Sequence, residues 1–92
     1  MKFEWDDTKA NANLRRHGVS FQEATTVFGD SLAATFAGPD HSDAEERWLS
    51  VGISAQGRLL VIAHTEQGTI FRIISARVAT TNERNRYEQR RV

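Results

Sequence analysis

Cysteine is absent from the chain, which excludes a disulfide framework, a thiolate metal site and a thiol nucleophile together and fits a reducing compartment. Long apolar runs are absent too. The longest, residues 59–63, falls far short of the ~20 residues a membrane span needs. No charged-then-apolar segment opens the sequence, so the expectation is a cytoplasmic protein without a membrane anchor. Net charge is zero, which argues against a protein that coats nucleic acid indiscriminately. Neither G-x-S-x-G nor G-x-x-x-x-G-K-[ST] occurs, leaving serine-hydrolase and P-loop chemistry without a motif. The three histidines, His17, His41 and His64, have no H-x-x-x-H spacing, so a zinc site is not expected. Asp40, Asp43, Glu45 and Glu46 cluster without the spacing of a calcium loop.

What is present suits one globular domain over residues 1–92. Hydrophobic residues make up 39% of the chain and proline occurs once, enough apolar surface to offset the entropy of ordering the backbone. The charge is unevenly placed. Residues 1–68 hold six basic and ten acidic side chains, whereas residues 69–92 hold six arginines (Arg72, Arg77, Arg84, Arg86, Arg90, Arg91) against Glu83 and Glu88. Arginine's planar fork grips phosphate or carboxylate in two places at once.

Local patterning predicts an α+β order. Residues 2–5 alternate polar and apolar as a short strand. Asp6 caps a helix that runs to His17 and stops at Gly18; its one strongly apolar residue, Leu14, marks it as a surface helix. Ser20 and Glu23 form a capping box, flanked by Val19 and Ala24 at the hydrophobic staple positions, and Phe21, Ala24 and Phe28 follow at helical spacing until Gly29 and Asp30. Residues 33–36, 47–54, 58–66 and 69–77 read as strands, the last three joined by tight glycine-containing turns into an antiparallel meander. Residues 38–43 read as a polar loop. Apolar residues at both parities of the middle strands imply that both sheet faces are partly covered. Thr80 and Glu83 open a last helix to about Arg90, in which Tyr87 is the one large apolar residue.

The remaining chemistry is a set of proton-transfer candidates and cations: His17, Glu45, Arg47, His64, Arg72, Arg77, Glu83, Arg84 and Tyr87. RNA carries its own nucleophile, the 2′-OH, so its cleavage asks only for a base, a cation beside the phosphate and an acid for the leaving oxygen. Each residue has a structural alternative. His17 suits the negative end of a helix dipole, and His64, in an apolar strand, suits a core position. Arg72 and Arg77, five residues apart on one strand, point to opposite faces unless a bulge intervenes. Glu83 caps its helix, and Tyr87 stands one turn further on the same side.

Phe3, Glu4, Trp5 and Asp6 with Lys9 and Asn13, then residues 17–21 (HGVSF) with Glu23, Ala24, Val27, Phe28 and Asp30, resemble the opening of the BrnT toxins. Residues 45–48 (EERW), Gly52, residues 57–60 (GRLL), Thr65, residues 72–77 (RIISAR), Ala79, Thr80, Glu83, Arg84, Tyr87 and Glu88 continue the resemblance through nearly the whole chain. It implies a RelE-like fold, an antiparallel sheet with two N-terminal helices and one C-terminal helix. It also implies a metal-independent ribonuclease, with no cofactor, that stops translation as the toxin of a type II toxin-antitoxin system. The implied partner is a BrnA-type ribbon-helix-helix antitoxin, through which alone the chain would touch DNA. Carried over residue by residue, Arg72 and Arg77 are the expected phosphate contacts, with His17, Glu45, Arg47, His64, Glu83 and Tyr87 as candidates for proton transfer or positioning. Gln67, Val78, Thr81 and Asn82 stand where basic residues are common in that family, which thins the cationic surface and weakens phosphate binding. Two rival readings are a non-catalytic binding module or inactive toxin acting through its antitoxin complex, and a direct DNA-binding repressor. The absence of a helix-turn-helix or basic arm counts against the latter.

Overall fold

A computed structural model describes residues 1–38 and 46–89 of the chain. The elements run β1 (Lys2–Glu4), α1 (Asp7–His17), α2 (Phe21–Thr26) with a 3-10 turn (Val27–Gly29), β2 (Ala34–Ala37), β3 (Trp48–Ile53), β4 (Leu59–Gln67), β5 (Ile70–Val78) and α3 (Thr81–Gln89). The fold is α+β, and every strand and helix expected from patterning is present. Most of the loop at residues 38–43, the acidic cluster apart from Glu46, and Arg90 and Arg91 lie outside the described residues.

The sheet order is β1-β5-β4-β3-β2. Four strands form the expected antiparallel array, but β1 joins it parallel to β5, with Phe3 opposite Phe71. The sheet is therefore mixed. A parallel neighbour needs a crossover rather than a hairpin, and here the whole helical segment and the meander lie between the two paired strands.

Two apolar clusters sandwich the sheet, so both faces are covered as the strand parity implies. On one face Leu60, Ile62, Ile73 and Ala76 pack against Val19, Phe21, Ala24 and Val27 of the N-terminal helices. On the other, Val51, Leu59 and Val61 pack against Tyr87 of α3. The N-terminal helices thus fill one layer, and α3 covers only part of the opposite face.

α1 starts where Asp6 accepts from Lys9 N (3.0 Å) and ends at Gly18, whose φ of +68° is the left-handed conformation glycine adopts without strain. It lies on the surface, as expected, and anchors itself through a polar residue. Leu14 is 49% exposed, while Asn13 is buried. The Asn13 amide donates from Nδ2 to the carbonyls of Val19 and Ala76 (2.9 Å each) and accepts from Ala76 N (3.1 Å). Since β1 reaches only as far as Arg72 along that edge, the asparagine stands in for the missing strand at Ala76. Satisfying buried backbone groups outranks burying one leucine.

The α2 cap is half of a capping box. Ser20 Oγ accepts from Glu23 N (3.0 Å), but the Glu23 carboxylate turns inward to accept from Ser54 Oγ (2.7 Å) and from Arg58 Nε (3.0 Å) and Nη2 (2.5 Å). A buried carboxylate gains more from a charged fork than from one backbone amide. The Arg58 guanidinium accordingly holds the Glu23 pKa below the usual carboxylate range. Close approach explains Gly52: a Cβ there would lie 2.9 Å from Ala33 Cβ and 3.0 Å from Val27 Cγ1.

Candidate functional site

The face that α3 leaves open is built by strand register. Ala34, Val51, Val61 and Arg77 stand opposite one another across four strands, and Phe36, Leu49, Ala63 and Ser75 form the next row. Ala63 and Ser75 are small, so that row makes a shallow floor. Beyond it Thr65 pairs with Arg72, and Arg72 with Glu4 of β1.

A β-bulge decides the arginine geometry. Ala63 pairs with Ser75 but His64 pairs with Ile73, which leaves Ile74 as an extra residue in β5. Phe71 stacks on His64, and Ile73 and Ala76 lie in the core under α1 and α2. Their neighbours Arg72 and Arg77 therefore both face the open side. Without the bulge the two guanidinium groups would be on opposite faces.

Arg77 is held in place by α3. Its Nη1 and Nη2 donate to the two oxygens of Glu83 at 2.7 and 2.8 Å. Glu83 Oε1 also accepts from Thr80 N (2.8 Å), and Thr80 Oγ1 accepts from Glu83 N (3.3 Å), so this capping box is complete and doubles as an arginine clamp. The guanidinium, and then the Thr80 amide, lower the Glu83 pKa to about 2, and Glu83 raises that of Arg77. A carboxylate this acidic is a weak proton acceptor at neutral pH; its geometry suits it to orienting Arg77.

The clamp has a pH signature. Because the folded pKa of Glu83 lies below its ordinary value of 4.5, its stabilisation is fully present above that value and is lost as pH falls towards 2. The melting-temperature gap between wild type and Glu83→Gln should be constant above about pH 5.5 and shrink in more acid solution. A gap that changed between pH 6 and pH 8, about the range where histidines titrate, would show that another group governs the clamp.

Arg72 is steadied by Glu4, with Nη1 donating to Oε1 at 3.3 Å, an exposed pair that leaves the guanidinium open to other anions. Arg47, exposed, immediately precedes β3 at the parity of Leu49 and Val51, and its carbonyl accepts from Gly38 N (2.7 Å). Glu83 and Tyr87 both line a groove of ≈ 630 Å³ between α3 and strands β2 to β4. The Tyr87 ring is buried there, and its hydroxyl donates to Asp30 Oδ2 (2.5 Å). That bond ties α3 to the end of the 3-10 turn and commits the phenol to a structural partner.

The other candidates lie elsewhere. His64 is wholly buried on the helix side of the sheet, stacked on Phe71 and edge-on to Phe28, with Nε2 bonded to Ser50 Oγ (2.8 Å). Burial lowers its pKa to about 4, so it packs as a neutral ring. His17 is exposed at the last position of α1. Glu45 lies outside the described residues. The structure thus gathers Arg72, Arg77, Glu83 and the parity of Arg47 on one face, and sets His64 on the other.

The family model described as ribonuclease toxin, BrnT, of type II toxin-antitoxin system matches residues 5–83. The chain belongs to the BrnT toxin family. Its fold is similar to the crystal structure of the Brucella abortus ribonuclease toxin BrnT, with a TM-score of 0.67 and 24% identity over 88% of this chain and 99% of that one. Comparison with curated proteins gives no match. BrnT membership makes the chain a ribonuclease toxin with an antitoxin partner and an RNA substrate. Among the described residues, no helix is long and apolar enough to cross a membrane.

The BrnT match covers Arg47, Arg72, Arg77 and Glu83 and stops before Arg86 and Tyr87. Residue chemistry alone did not nominate Glu4, Ser75, Arg86 or Phe36 for this face. Arg86 was within reach, since it follows Glu83 by three positions and so shares its side of a helix. Glu4 was not, because its partner Arg72 lies 68 residues away in sequence.

Proposed function

We propose that this BrnT toxin is a metal-independent endoribonuclease that acts as one domain over residues 1–92 in the cytoplasm and inhibits translation. In this reading a BrnA-type ribbon-helix-helix antitoxin neutralises it, and DNA is met only through that antitoxin. The observation that carries the mechanism is the placement of Arg72 and Arg77 on one open face, each steadied by a carboxylate. Cleavage by attack of the 2′-OH needs the phosphodiester held in line and its growing negative charge met by fixed cations. Arg77, clamped from behind by Glu83, is the pre-organised cation; Arg72, in an exposed pair, binds a neighbouring phosphate. Ser75 and Thr65 line the floor between them with hydroxyls. Arg47, at the parity of this face, is a further positioning cation, and His17 and Glu45 remain the candidates for proton transfer; Tyr87 acts through α3 and His64 through the core.

The test uses the purified chain with a defined oligoribonucleotide in the presence of a chelator. The expected products are a 2′,3′-cyclic or 3′-phosphate end and a 5′-hydroxyl, with no cut when the nucleotide 5′ of the scissile bond is 2′-deoxy. Cutting of the deoxy substrate, or loss of cutting on chelation, would overturn this mechanism. RNA that is bound but left intact would favour a toxin that acts by occupying its target, and co-expression with a BrnA-type antitoxin checks the partner.

A further inference from the structure

Arginines that hold phosphates say nothing about where the bases go. The groove beside them does. Its floor is Leu49, Val51 and Val61, α3 supplies Arg86 and Glu83 along one wall, and Phe36 lines the other. Its volume of ≈ 630 Å³ lies within the range of small-ligand pockets, about 300–1,000 Å³.

Phe36 is 44% exposed on β2, the strand that ends the sheet order. An uncharged edge strand presenting a bare aromatic is a liability that proteins usually blunt with charge or proline, yet residues 34–37 read Ala-Thr-Phe-Ala. The ring's cross-strand neighbour is Leu49, which fixes one side and leaves a face to the groove. From Arg77, Phe36 lies three strands across and two residues along, a backbone separation of about 16 Å from strand spacing and rise. That is a span on the scale of a dinucleotide, and the surface between them is small or apolar. Cations at one end and an aromatic face at the other match a single strand of RNA, whose phosphates need charge and whose unpaired bases need a stacking surface.

We propose that Phe36 is a base-stacking platform of this BrnT toxin, receiving an unpaired base of the RNA whose phosphates lie on Arg72 and Arg77. The inference rests on the ribonuclease reading above and adds the part of the substrate that groove holds. Arg86, on the opposite wall, meets a phosphate or the edge of the same base. A stacked base places the adjoining phosphodiester without demanding one sequence, because every base has a π-face.

The experiment compares wild type with Phe36→Ala, Phe36→Leu and Phe36→Tyr, each checked for an unchanged melting transition. The probe is a 2′-O-methyl oligonucleotide carrying 2-aminopurine, which cannot be cut and whose fluorescence is quenched on stacking. Cleavage of the matching oligoribonucleotide is followed in parallel. Loss of the ring should weaken RNA binding roughly 5- to 150-fold in both the alanine and leucine variants, abolish the quench, and act on KM more than on kcat. Tyrosine, which restores a π-face, should recover the quench and most of the binding. Wild-type affinity and quench in Phe36→Leu would overturn the proposal, since an apolar filler would then suffice. Loss of antitoxin co-purification in Phe36→Ala with RNA binding intact would also overturn it and reassign the groove to the protein partner. Failure of the ribonuclease reading looks different: the wild-type chain itself leaves the oligoribonucleotide uncut.

Discussion

Arg77→Ala is expected to slow RNA cleavage by about 10²- to 10³-fold, the loss typical of removing one fixed donor from a developing oxyanion. The size follows from pre-organisation. Glu83 engages both terminal nitrogens of Arg77, and the helix start holds Glu83 through Thr80, so the guanidinium is placed before RNA arrives. A free arginine would have to be ordered during the reaction. Folding should change little, because the pair is partly exposed at 37% and 26%, and such surface pairs contribute about 1 kcal/mol or less. Arg77→Lys keeps the charge but loses the two-pronged geometry and should fall between wild type and alanine. Glu83→Gln should slow cleavage through misplacement of Arg77 without adding a pKa to the rate profile near neutrality. The assay is single-turnover cleavage with circular dichroism on the same samples. A folded Arg77→Ala protein that cuts at the wild-type rate would remove this arginine from the chemistry.

The largest loss of stability is expected from Asn13→Ala. Truncation leaves the Ala76 N–H and the carbonyls of Ala76 and Val19 without the partners that the amide supplies. At 1–3 kcal/mol for each buried group left unsatisfied, and allowing water to reach some of them, the cost is about 3–5 kcal/mol. That is a large part of the ~5–15 kcal/mol that stabilises a typical domain. At roughly 4–8 °C per kcal/mol for a chain of this size, the melting temperature should fall by more than about 12 °C. The consequence reaches the site, because Asn13 grips β5 next to Arg77. A fall of only a few degrees would mean that water or a shifted α1 replaces the amide at little cost.

Local features were legible in the residue order. The start of α1 at Asp6, its stop at Gly18, the Thr80 and Glu83 capping box and the strands of the meander depend on groups within a few positions of one another. Periodicity and capping chemistry report such contacts directly. The partial failure at Glu23 is instructive for the same reason. The S-x-x-E pattern placed the helix start correctly, but the carboxylate had a stronger partner, Arg58, 35 positions along the chain. The burial of Asn13 beneath an exposed Leu14 was not legible, because hydrophobicity alone does not reveal a strand edge that needs an amide.

The candidate site was legible as a list of residues and not as an arrangement. Arg72 and Arg77 stood out by chemistry and by resemblance to the BrnT toxins, yet their spacing assigned them to opposite faces unless β5 carried a bulge. Whether a strand bulges depends on its pairing with β4, which residue order within β5 does not state. His64 was a weaker candidate whose apolar strand already suited a core position, and register put it on the helix side of the sheet.

By itself, then, the sequence determined the secondary structure, the α+β class, the family and the arginine-rich character of the last third of the chain. Only the tertiary structure decided that β1 lies parallel to β5, that Asn13 seals the edge of β5, and that Arg72, Arg77 and Glu83 share one face with the groove beneath Phe36. The physical reason is range. Helix caps, turns and hydrophobic periodicity are set by neighbours in the chain, whereas strand register and the pairing of distant charges are fixed only when the whole sheet is packed.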